Sequence, residues 1–142
     1  MAGSSMVVSM RLPVESGERL KRMARRFGWT PSDASARLVE EGLRRAEFAF
    51  TDFSDTVIGR QAYLQGTRLA VWMVVKIVRA CGGNVEKAAE HLERPASMIQ
   101  AAMNYAQAFP DEIENAIQEN DSMDFDQISR ILPQARRLVV PR

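Results

Sequence analysis

The sequence has few of the residues that catalytic and metal sites usually contain. Its 142 residues include one cysteine and one histidine, and aromatic residues make up only 7% of the chain. A single cysteine, Cys81, excludes an internal disulfide and fits a reducing compartment. No apolar run approaches the roughly 18 residues of a membrane span, and residues 1–5 lack the basic and apolar parts of a secretion signal. We therefore expect a soluble, cytoplasmic protein without a membrane segment.

These shortages also argue against an enzyme. Catalysis needs several convergent polar groups, and no spacing of His, Cys and carboxylate residues here suits a metal ion. The chain also has no glycine-rich phosphate-binding loop. We expect no catalytic residues, no metal and no cofactor.

The charges, in contrast, are plentiful and unevenly distributed. Charged residues make up 26% of the chain, yet the net charge is only +1. Residues 1–45 contain nine Lys or Arg against five Asp or Glu, whereas residues 110–142 contain four against seven. This asymmetry suits a protein that binds a polyanion near its N-terminus and a basic partner near its C-terminus, although solvated helix faces produce similar biases.

Residues 7–12 form a short alternating segment, typical of a β-strand, directly before two helical patterns. A lone strand leaves its backbone N–H and C=O groups unpaired, so we expect it to pair with the same segment of a second chain. The predicted dimer core consists of Val8, Met10 and Leu12 on one face. The opposite face would present Val7, Ser9 and Arg11 to solvent or to a ligand. The chain is thus predicted to be a homodimer.

Two helices are predicted after this segment. Pro13 ends the strand, and an amphipathic pattern with a strongly basic opposite face continues until Gly28. Thr30 and Pro31 then have the residue types of a helix N-cap and first helical position. The second helix is predicted to extend to about Arg45.

A strand, a helix, a glycine-containing turn and a capped helix within residues 6–45 resemble the ribbon-helix-helix family of DNA-binding proteins, including VapB-like antitoxins. In that family the paired strands enter the major groove, which implies that Val7, Ser9 and Arg11 read bases. An arginine can bind guanine through two hydrogen bonds, so Arg11 is the strongest candidate. Val7 departs from the usual polar residue and can offer only an apolar contact.

The same resemblance implies a phosphate contact at the start of the second helix, where Thr30 and Ser32 lie. Backbone N–H groups at a helix N-terminus favour anions, although any helix start offers this site.

Residues 46–120 are predicted to form a second module, with a small hairpin followed by three helices arranged like a helix-turn-helix. The segments 59–62, 66–72 and 106–110 resemble a small homeodomain-like family of unknown function that occurs beside PIN-like ribonuclease toxins. Within them, Gly66 is predicted to adopt a positive φ in a turn that Arg68 pins. The helix after Pro95 lacks basic residues, so we do not expect it to read DNA.

The chain is acidic and amphipathic from Asp111, and residues 121–142 are predicted to be a C-terminal extension. Antitoxins of this kind fold a partly disordered tail across the toxin, which implies toxin contacts at Ile113, Ile117, Phe125 and Ile128. A packed C-terminal helix is the alternative.

The expected fold is mainly α, combining an N-terminal ribbon-helix-helix domain with a small hairpin and helical domain. The expected function is that of a type II antitoxin, a dimeric or larger assembly that represses transcription from its own operator DNA and neutralises a PIN-like toxin. A transcriptional regulator without a toxin is the alternative, and an interaction scaffold without a DNA site is a third possibility.

Overall fold

The computed structural model describes residues 4–56 and 59–120 of the chain. In this part the protein is mainly helical, with one two-stranded antiparallel sheet. The elements, in chain order, are α1 (Val14–Phe27), α2 (Pro31–Glu47), β1 (Thr51–Thr56), β2 (Gly59–Leu64), α3 (Val71–Ala80), α4 (Val85–Leu92), α5 (Ala96–Ala108) and α6 (Pro110–Glu119). The chain divides into two compact units between Glu40 and Glu41, within α2.

The first unit confirms the two predicted helices. Gly28 adopts the left-handed conformation with φ of 69°, and the next N–H, that of Trp29, bonds to the carbonyl of Ala24 at 2.8 Å, which ends α1. The hydroxyl of Thr30 accepts a hydrogen bond from the N–H of Asp33 at 3.1 Å, as expected of an N-cap. Before α1, residues 4–13 form neither helix nor strand in the single chain.

The hairpin of the second unit follows directly on α2, which ends two residues later than expected, at Glu47. Phe50 has a positive φ of 58° and turns the chain into β1. The two strands pair from Thr51 with Leu64 to Thr56 with Gly59, which confirms the predicted hairpin.

The turn after β2 differs from the prediction in one side chain. Gly66 has the predicted positive φ, at 74°. However, Thr67 pins the turn, since its hydroxyl donates to the carbonyl of Leu64 at 2.8 Å and accepts from the N–H of Leu69 at 2.9 Å. Arg68 is exposed and makes no hydrogen bond or ion pair within the described residues. A small hydroxyl next to the backbone reaches both groups at less entropic cost than a long guanidinium.

The core of the second unit is built around α3, of which seven residues are buried. Helices α4, α5 and α6 all pack against α3. Gly82 and Gly83, both with positive φ, end α3, and the side chain of Asn84 caps α4 by accepting from the N–H of Lys87 at 2.9 Å. The helix predicted after Pro95 begins at Ala96, because the signals that start a helix are local.

Helix α6 completes this core. Its residue Ile113 is 4% exposed and belongs to the same hydrophobic cluster as Trp72 and Val75. The alternative of a packed helix is therefore confirmed for Pro110–Glu119. None of the helices in residues 4–56 and 59–120 is both long and apolar enough to cross a membrane.

Candidate nucleic-acid interface

The N-terminal segment leaves most of its apolar side chains in solvent. The predicted dimer-core residues Val8, Met10 and Leu12 are 74%, 52% and 45% exposed in the single chain. Val7 is 92% exposed, and Ser9 and Arg11 are exposed as well. Contiguous exposed apolar side chains of this size mark an interaction surface in a folded protein.

Two shallow clefts of the first unit adjoin this segment. A cleft of about 220 Å³ is lined by apolar side chains and one serine: Met10, Leu12, Leu20, Ser35, Leu38 and Val39. Met10 and Leu12 therefore border the helices, as the predicted inward face requires. A second cleft of about 480 Å³ is bordered by both Val7 and Val8, so the single chain does not place these two on opposite faces. Strict alternation needs the backbone pairing of a strand, which residues 4–13 lack here.

The exposed face of α1 is strongly basic. Its cations are all exposed, and none forms an ion pair with a carboxylate of the described chain: Arg19, Lys21, Arg22, Arg25 and Arg26. The opposite face contains Ala24, which is 1% exposed, beside the half-buried Leu20 and Phe27. Residues 4–40 carry seven Lys or Arg against four Asp or Glu. A surface of unpaired cations on one helix face is suited to phosphate contacts.

The start of α2 is a weaker site for an anion than the basic face of α1. Ser32 is exposed at the second helical position, next to the capping residue Thr30. However, Thr30 already uses the N–H of Asp33, and the acidic side chain of Asp33 lies in the first turn, where it competes for the same positive dipole. A phosphate here would depend on the N–H and hydroxyl of Ser32.

Four arginines of the second unit form ion pairs with carboxylates of the same unit. The guanidinium of Arg44 donates to the hydroxyl of Tyr105 at 2.6 Å and to the carboxylate of Glu112 at 2.7 Å, and it lies 3.7 Å from the ring centre of Phe109. Tyr105, which is fully buried, donates its own proton to Glu112 at 2.6 Å. This cluster satisfies every polar group that it buries, so we assign it to stability.

The pKa values in this cluster follow from burial and charge. Burial, followed by the hydrogen bond to Glu112, raises the pKa of the Tyr105 hydroxyl well above its usual range. Burial alone would lower the pKa of Arg44, but the hydrogen bond and attraction to Glu112 raise it overall. Both groups therefore keep their protons at neutral pH and cannot act as bases.

Within the described residues of the second unit, no group of three or more His, Cys, Asp or Glu side chains could hold a metal ion. Cys81 is buried, and this burial raises the pKa of its thiol, an effect that the nearby Lys87 only partly offsets. Such a thiol is a poor nucleophile.

Of the four residues expected to contact a toxin, the structure describes Ile113 and Ile117. Ile113 lies in the core, and Ile117 is half-buried and packs against it. Neither presents a full side chain at the surface of this structure. Phe125 and Ile128 lie outside the described residues.

No protein-family model, curated protein or solved structure matches this chain in the comparisons with known proteins.

Proposed function

We propose that the chain is the antitoxin of a type II toxin–antitoxin system, acting in the cytoplasm. Two copies pair through residues 7–12 to form a DNA-binding ribbon that represses the operator, and the remainder of the protein holds a PIN-like ribonuclease toxin. The DNA-binding part of the proposal rests on the exposure of Val8, Met10 and Leu12, which lie beside the helices of the first unit. A second copy of the same segment would cover these side chains and pair their backbone groups.

The charge distribution supports operator DNA as the ligand of this dimer. Each copy contributes the unpaired cations of α1 together with Arg11, while the first unit as a whole is basic. Contacts to phosphates supply most of the non-specific affinity for DNA, and base contacts add specificity. In the proposed complex, Arg11 reads a base, with Ser9 and Val7 beside it and Thr30 and Ser32 near the backbone.

The toxin part of the proposal rests on the resemblance of the sequence, in particular its segments 66–72 and 106–110. It predicts that a neighbouring reading frame encodes a small nuclease with an acidic active site. The two parts of the proposal are therefore tested separately.

The experiment is co-expression of the tagged chain with the product of the adjacent gene, followed by purification and a gel shift on the DNA upstream of both genes. The proposal predicts a stable complex, loss of nuclease activity in that complex, and a specific shift that weakens with salt. A specific shift without any captured nuclease would instead indicate a transcriptional regulator that has no toxin. Capture without a shift would refute the operator-binding part.

A further inference from the structure

The turn at residues 65–68 presents an arginine that the fold does not use. Four other arginines of the second unit, namely Arg44, Arg45, Arg60 and Arg79, form ion pairs with carboxylates. Arg68 is exposed and has no hydrogen bond, ion pair or ring contact within the described residues. A guanidinium without an internal partner remains available to an external one.

The backbone that carries Arg68 is nevertheless held firmly. The hydroxyl of Thr67 bonds on both sides of the turn, and Gly66 supplies the positive φ that the turn needs. The N–H of Gln65 also donates to the carbonyl of Phe50 at 2.7 Å. A cation on a fixed turn loses less entropy on binding than one on a loose loop.

The hydrogen bond from the N–H of Gln65 to the carbonyl of Phe50 places Phe50 next to the turn at residues 65–68. Among the described residues from Glu41 onward, Leu43 and Phe50 are the large hydrophobic side chains that are exposed. Phe50 is 39% exposed and adopts a positive φ of 58°, which a bulky side chain rarely does. An exposed aromatic residue with a strained backbone does not favour stability, so we infer another role for Phe50.

We propose that Phe50 and Arg68 form a docking site for a protein that presents a carboxylate beside an apolar recess. Phenylalanine and arginine both belong to the residue types that are enriched at the cores of protein interfaces. This inference rests on the proposed function, because the partner is the nuclease encoded beside this chain. It assigns the docking site to the end of the sheet where β1 begins and β2 ends, and Ile113 and Ile117 are not part of it.

The charge of the second unit favours a protein over a nucleic acid as the occupant. Residues 41–120 contain eight Lys or Arg against eleven Asp or Glu. A surface with this negative balance repels a polyanion, whereas a single arginine can still pair with one carboxylate.

The test uses the full chain and the purified nuclease from the adjacent gene, with the affinity measured by calorimetry. Arg68→Glu is expected to weaken binding about tenfold to a hundredfold, since a hydrogen bond between charged groups is lost and repulsion replaces it. The matched control is Lys87→Glu, which reverses an exposed cation on α4 and is expected to leave the affinity unchanged.

A second variant separates docking from folding. Phe50→Asn removes the ring but suits the left-handed conformation, so the unfolding temperature should stay the same or rise while binding weakens. A fall in unfolding temperature that parallels the loss of binding would assign the ring to the fold and overturn the proposal.

The remaining outcomes are equally distinct. If the wild-type chain binds the nuclease and Arg68→Glu binds it as tightly, the docking site is wrong while the proposed function stands. If the wild-type chain does not bind the nuclease, the toxin part of the proposed function falls and the docking site falls with it. If Arg68→Glu weakens only operator binding, the occupant is a nucleic acid and the proposal is refuted.

Discussion

Replacing Met10 by aspartate is expected to break the dimer. Met10 is 52% exposed in the single chain, and pairing two copies would bury that half in each of them. Full burial of one such side chain is worth ~1.5–3 kcal/mol, so the two halves together contribute roughly that amount. The aspartate adds a desolvation penalty of several kcal/mol for each buried charge unless it escapes or takes up a proton.

The lost burial of Met10 and the desolvation of the aspartate together cost at least ~4 kcal/mol. This loss raises the dissociation constant of the dimer by about a thousandfold. The matched control is Ser9→Asp, which introduces the same charge at the next residue but on the outward face of the predicted strand. Ser9→Asp should remain a dimer and bind DNA less well, because the new carboxylate faces the phosphates.

The assay is light scattering coupled to size-exclusion chromatography at micromolar concentration. The chain has a mass of 15.9 kDa, so the wild type and Ser9→Asp should elute at about twice this mass and Met10→Asp at the monomer mass. Circular dichroism should show that the helices are retained in all three proteins. A dimeric Met10→Asp, or a monomeric Ser9→Asp, would show that the assignment of the two strand faces is wrong.

Three further predictions concern the DNA contact, the core and the C-terminus. Arg11→Ala should keep the dimer mass but lose about 1–3 kcal/mol of operator affinity per half-site, and undiminished selectivity in a gel shift would contradict its role in base reading. Because the pKa of Tyr105 is raised, the folded state keeps this proton above pH 10, where the unfolded chain loses it. The contribution of Tyr105 to stability in urea should therefore be constant below pH 10 and fall above it. Tyr105→Phe should reduce that fall, and an unchanged slope would show that this hydroxyl is not the cause. Truncation after Asn120 keeps α6 and should weaken nuclease capture, because Phe125 and Ile128 are removed. Full capture by the fragment would exclude these two contacts.

The local elements of this fold could be predicted because their signals lie within a few residues of sequence. Gly28 ends α1 and Thr30 caps α2 through contacts that span three to five positions. The hairpin was predicted from a run rich in phenylalanine and a second apolar run flanked by Gly59 and Gly66, although its first strand begins after α2 has continued to Glu47.

The tertiary roles of individual side chains were harder to predict. Helix α6 has the acidic, amphipathic pattern of a surface segment, and only the packing of Ile113 against α3 shows that it belongs to the core. Likewise, nothing near Arg44 in the sequence indicates that it reaches Tyr105 and Glu112, 61 and 68 residues later. Arg68 was expected to hold its turn, yet the smaller Thr67 does so.

The N-terminal segment shows a second reason why the structure of one chain differs from the sequence prediction. The alternation of residues 7–12 predicts a strand, but a strand needs a partner, and a single chain supplies none. The exposure of this segment in the single chain is what the proposed pairing requires.

The most direct test of the paired ribbon is amide hydrogen exchange of residues 7–12. It is measured by NMR on the full chain at concentrations above and below the dissociation constant of the dimer. Strand pairing predicts that alternate amides in this segment are protected in the dimer and exchange rapidly in the monomer. If all of these amides exchange at the rate of an unstructured peptide in the dimer as well, the two chains associate through another surface and the proposed DNA-binding ribbon does not exist.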